Sequence, residues 1–173
     1  HPRVRRQRQM CIRDSYNIGY VYFAQGDYSK ALEYFEEVLK IRLSVYGENH
    51  SRVASVYNDI GEIYSVQGDD FKALDYFKKS LKIVLSVYGE NHSQVSSIYD
   101  HIGEVYFAQK DYSKALYYFE ESLKIRLSLF GENHPEVALS YYSIGSLYII
   151  QGDKSKALNL SLIHISEPTR QAE

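Results

Sequence analysis

The chain has 173 residues, 45% of them hydrophobic, with 20 Lys+Arg against 22 Asp+Glu and a formal net charge of −2. That length can bury a core as one domain, and the near-neutral balance argues against nucleic acid and against an anionic membrane surface as partners. No apolar run nears the ~20 residues that span a bilayer, nothing at the start reads as a signal peptide, and the single cysteine excludes an internal disulfide, which fits the cytoplasm.

In chain order, residues 1–14 stand apart. Arg3, Arg5, Arg6, Arg8 and Arg13 cluster there, readable as a basic arm or a disordered tag. The string RQRQMCIRDS resembles a reading frame of sequencing-adapter DNA, so 1–14 is expected to be a non-native or disordered flank. From 15 onward a 42-residue period takes over. Gly19, Gly61, Gly103 and Gly145 keep it, as do Ala31, Ala73, Ala115 and Ala157. Val21–Ser44 and Val105–Ser128 differ at only three of 24 positions: Gly26/Lys110, Glu33/Tyr117 and Val38/Ser122. A fixed period of this size marks a stacked repeat array.

The second copy shows the local structure. Val53, Tyr57, Ile60, Gly61 and Tyr64 lie on one helical face. Gly68 should close that helix, and Asp69 or Asp70 should cap the next. Ala73, Leu74, Phe77, Leu81, Val84 and Leu85 form a second apolar stripe. Gly61 is expected to face Ala73 across the hairpin, with Tyr64 and Phe77 filling the space beside them. YGENH at 46–50 and 88–92, and FGENHP at 130–135, are the turns between copies, and Pro135 suits a first helical turn. Hairpins are therefore predicted over about 15–45, 51–87, 93–129 and, cut short, 135–160. In the last copy Ser161 stands where Phe35, Phe77 and Phe119 lead one to expect an aromatic. The tail SLIHISEPTRQAE again resembles adapter reading frames, so 161–173 is expected to be a second non-native or disordered flank. Without the flanks, 16–160 carries a net charge of −5.

The series Tyr57, Ile60, Gly61, Tyr64, Ala73, Phe77 resembles the tetratricopeptide repeat. Its 42-residue period and GENHP-type turn are similar to the kinesin light chain class of that family, rather than the usual 34-residue form. Ser80, Val38 and Ser122 depart from the family's alanine, and Lys110 from its turn glycine. The resemblance implies an all-α fold, an α-solenoid of stacked antiparallel hairpins in a right-handed superhelix. It also implies a concave face of first helices that holds a peptide.

The chain carries no pattern for catalysis. GDKSK at 152–156 lacks phosphate-loop spacing, and G-x-S-x-G, H-E-x-x-H and C-x-x-C do not occur. His50, His92 and His134, one per turn, are too far apart in a stack to share a ~2 Å metal shell, so turn capping is expected of them. Neither a cofactor nor a metal is expected.

Carried over position by position, the family's groove falls on Asn17, Tyr20 and Phe23 in the first copy and on Asn58, Asp59 and Glu62 in the second. In the third it falls on Asp100, His101, Glu104 and Phe107, and in the fourth on Tyr142 and Ser146. These positions vary between copies while the core positions repeat, as a recognition surface would; neutral drift on an exposed face predicts the same. Acidic and aromatic groups together suit a peptide carrying Lys/Arg or aromatic side chains. The expectation is a non-enzymatic interaction scaffold in the cytoplasm, with a protein or peptide ligand and neither nucleic acid nor membrane as partner. Self-association is expected through an uncapped C-terminal repeat. The alternative is a sensor or regulatory domain of a larger signalling protein.

Overall fold

The structure, a computed structural model, describes residues 2–165. Eight helices and no strand form among the described residues. They are α1 (Pro2–Ala24), α2 (Tyr28–Tyr46), α3 (Ser51–Val66), α4 (Asp70–Tyr88), α5 (Ser93–Ala108), α6 (Tyr112–Phe130), α7 (Pro135–Ile150) and α8 (Lys154–Ile165). They fall into two compact units, His1–Val87 and Tyr88–Glu173.

The helix boundaries follow from turn chemistry. Gly26, Gly68 and Gly152 take φ of 78°, 76° and 80°, the left-handed conformation that ends a first helix, and Lys110 adopts it at 62° without glycine's freedom. The next residue caps the second helix: Asp27, Asp69, Asp111 and Asp153 accept through Oδ1 from the backbone N–H of Lys30, Lys72, Lys114 and Lys156 at 3.1–3.2 Å. Asp69 rather than Asp70 therefore caps α4. The turn histidines cap as well. His50, His92 and His134 each accept through Nδ1 from the N–H two residues on, at 3.1–3.2 Å. Each imidazole also lies 4.1–4.6 Å, centroid to centroid, from Tyr46, Tyr88 or Phe130.

Packing places the small residues differently from expectation. Phe77, not Ala73, covers Gly61: a Cβ at Gly61 would meet Phe77 Cε1 at 2.7 Å. Gly103 stands in the same relation to Phe119. Tyr64 does not fill the core; it is half-buried and stacks on Tyr76 at 5.6 Å and 17°. Val56, Ile60 and Ile63 occupy the interior instead, with Ala31, Phe35 and Val38 from α2. In the second unit Ala115, Phe119, Ile144 and Leu147 form the matching core.

Helix α1 begins at Pro2, inside the stretch set apart as a flank, and Ile12 is buried in the core of its unit. Helix α8 runs to Ile165. The rest of the expected C-terminal flank, 166–173, lies outside the described residues.

Candidate functional site

In the first unit the expected face is carried by α1 and α3, and only part of it meets solvent. Asn17 is exposed and Tyr20 is 40% exposed. Phe23 is half-buried against Tyr28, its ring centroid 5.9 Å away. Asn58 donates to Glu62 Oε1 at 2.6 Å.

Asp59, expected in the open groove, is only 7% exposed. Tyr16 and Tyr20 donate their hydroxyls to its two oxygens, each at 2.6 Å, which clasps α1 to α3. Burial, with the Asp59 charge beside it, pushes the Tyr16 hydroxyl up to about 12, and Tyr20 is pushed up by the same causes. Burial also raises the Asp59 carboxyl, while the two phenols and Arg42 pull it down. With both oxygens committed, this acid has little left to offer a ligand.

The second unit repeats the arrangement with other chemistry. Asp100 Oδ2 accepts from Arg126 Nη2 at 2.6 Å. Arg126 also reaches Glu136 at 3.0 Å and Ser140 Oγ at 2.7 Å. One buried guanidinium on α6 thus joins its own hairpin's α5 to the next first helix, α7. His101 is half-buried, and burial, with Arg126 adding its charge, lowers it from 6.5 to about 4. Glu104 is exposed, and Phe107 packs on Tyr112 at 5.9 Å.

On α7, Tyr142 is 75% exposed and Ser146 half-buried. Together with Ile149 on α7 and Ala157, Leu158 and Leu160 on α8, they line an apolar cleft of about 580 Å³. Of the twelve expected positions, these two share that cleft, Tyr20 and Asp59 share a hydrogen bond, and Asn58 and Glu62 share another.

Sequence reasoning missed Arg42 and Arg126, both buried. A signal existed: they occupy the register of Val84, a core position of the second copy. Charge at an apolar register marks a buried group with built partners.

Among the described residues no three His, Cys, Asp or Glu side chains come together as a metal site, and no helix is long and apolar enough to cross a membrane.

The Tetratricopeptide repeat family model matches residues 12–86, 52–128 and 94–161, and the chain belongs to that family, whose repeats mediate protein–protein interaction. The solved structures it resembles are of the kinesin light chain-like kind. One is BtubC (BKLC) from P. vanneervenii, 26% identical at TM-score 0.76, over 84% of this chain and 58% of that one. Another holds nearly identical TPR-like repeats of a Podosopora anserina kinesin light chain-type protein, 17% identical at TM-score 0.74, over 86% of this chain and 71% of that one. A point variant of those Podosopora repeats is 16% identical at TM-score 0.76, over 94% of this chain and 77% of the variant. The chain thus spans less than two thirds of BtubC. No curated protein matches it in sequence. The all-α, α-solenoid fold class follows from the helices and these likenesses.

Proposed function

We propose that the array over 15–160 is a non-enzymatic scaffold that holds a peptide segment of a partner protein against its first helices. The observation that carries this reading is the surplus of apolar surface on α7. Tyr142 is 75% and Ile149 62% exposed where the same helix has buried Val137, Ile144 and Leu147, and both border the cleft beside α8. Exposed aromatic and aliphatic groups gathered at a cleft suit recognition of an apolar segment. The family's interaction role supports the same reading.

The chemistry of the faces refines the ligand. Asp59 and Asp100 are held by tyrosines and by Arg126. Glu104 remains exposed on α5. Aromatic or aliphatic anchors should therefore supply most of the affinity, and a Lys or Arg beside them a smaller, salt-sensitive part.

Titration of a peptide library at low and high salt tests this. Peptides with an aromatic anchor and a basic neighbour should bind best, and Tyr142→Ser with Ile149→Ser should weaken them by about tenfold or more. A preference for acidic peptides, or binding indifferent to both substitutions, would overturn the proposal.

A further inference from the structure

The two buried arginines, Arg42 and Arg126, differ in their partners. Arg126 is neutralised by Asp100 and Glu136. Counting back two repeats, Asp100 corresponds to Tyr16 and Glu136 to Arg52. Arg42 therefore keeps the guanidinium and the burial (9% exposed, against 6% for Arg126) but has neither carboxylate, and a second cation stands where one of them was.

Its partners are neutral. Nη1 donates to the Arg52 carbonyl at 2.6 Å and to Ser55 Oγ at 2.9 Å, and the guanidinium lies 4.5 Å from the Tyr16 ring centroid. Among the described residues its buried Nε has no hydrogen-bond partner. Asp59 is near enough to feel Arg42, yet its oxygens are engaged by Tyr16 and Tyr20.

Beside Arg42, where α1, α2 and α3 meet, is a pocket of about 470 Å³. Its wall includes Arg13, Arg42, Arg52, Tyr16, Tyr46 and Ser55, and, among the described residues, no carboxylate. Arg52 is steadied there by Tyr46, whose hydroxyl accepts from Nη1 at 2.5 Å and whose ring lies 5.1 Å from the guanidinium carbon. Arg13 belongs to the segment the repeat does not account for, so the weight falls on Arg42 and Arg52.

We infer that the pocket between α1, α2 and α3 binds an oxyanion, a carboxylate or phosphoryl group, which supplies Arg42 with the negative charge that Asp100 and Glu136 give Arg126. Guanidinium groups present donors in a fork that matches both anions. This site is separate from the α7–α8 cleft, and neither proposal depends on the other.

The test follows the Nε–H resonances of the arginines by NMR while inorganic phosphate or succinate is added at constant ionic strength. Arg42 and Arg52 should shift saturably, with Arg126 unmoved. The Arg52→Glu variant, which restores the carboxylate of the other unit at an exposed position, should weaken binding about tenfold or more. Tighter binding of phosphate would identify a phosphoryl ligand, and tighter binding of succinate a carboxylate. No saturable shift, an equal drift at Arg126, or unchanged binding in Arg52→Glu would overturn the inference.

Discussion

The repeat supplies its own control for single glycines. Gly61 and Gly145 occupy the same register, but a Cβ at Gly61 would strike the Phe77 ring at 2.7 Å, while at Gly145 it would meet nothing within 4 Å among the described residues. The sequence has Ser161, not an aromatic, in the register of Phe77. Gly61→Ala should therefore destabilise the protein by about 1–3 kcal/mol through overpacking. Gly145→Ala should stabilise it by about 0.5–1 kcal/mol, the ordinary helix-interior gain over glycine. Urea unfolding of both variants would show opposite signs; two losses of equal size would mean that Phe77 does not set the difference.

His101 makes stability depend on pH. Its folded pKa of about 4 lies below the ordinary 6.5, because burial and then Arg126 disfavour the imidazolium. Between those values the unfolded chain binds the extra proton, so this contribution is present above about pH 6.5 and is lost as pH falls toward 4. It amounts to at most about 3 kcal/mol. Asp59 works in the opposite sense. Its raised carboxyl pKa favours the folded state at acid pH, and that stability is lost as pH rises through the folded value. Denaturant midpoints at pH 7.5 and 4.5 should fall less in His101→Gln than in the parent chain. An identical fall in the two would remove His101 as the cause.

At the scale of the element, one turn breaks the glycine rule, and the strain has a measurable size. Lys110 holds φ at 62° where three other hairpins use glycine, and its N–H donates to the Phe107 carbonyl at 2.9 Å, so the turn is fully formed. A non-glycine residue in the left-handed region costs roughly 1–2 kcal/mol. Lys110→Gly should recover about 1 kcal/mol of that, less the added chain entropy, seen as a higher denaturant midpoint with unchanged slope.

Turns and helix limits of this kind are readable from sequence because local chemistry decides them: Gly68 ends α3, Asp69 caps α4 and Pro135 opens α7. Tyr64 escapes that reading because periodicity places a residue on a face without saying how deep it lies. Its ring prefers the stack on Tyr76, with the Lys72 ammonium 4.7 Å from its centroid. The candidate face is less legible still. Asp59 and Asp100 lie at face positions, yet tyrosines from a neighbouring repeat and an arginine from the same hairpin draw them inward. Those partners lie 26 to 43 residues away, beyond the reach of any local pattern.

At the scale of the whole molecule, the balance between charge and exposed apolar surface decides whether copies stay apart. A net charge of −2 gives little mutual repulsion. Against it stands the α7–α8 cleft, lined by Tyr142, Ile149 and Leu158, which are 75%, 62% and 61% exposed. Apolar side chains gathered open to solvent at one cleft favour burial against a second copy. The chain should therefore associate reversibly as its concentration rises, giving a light-scattering mass that climbs with concentration and falls on dilution. Replacing Tyr142 and Ile149 with serine should flatten the climb without unfolding the protein, since both side chains are already mostly in water. Added salt should leave it intact or steepen it, because burial of apolar surface is not screened by ions. A mass that stays monomeric at high concentration would refute the association, and one that collapses with salt would move its cause from the cleft to the charged surface.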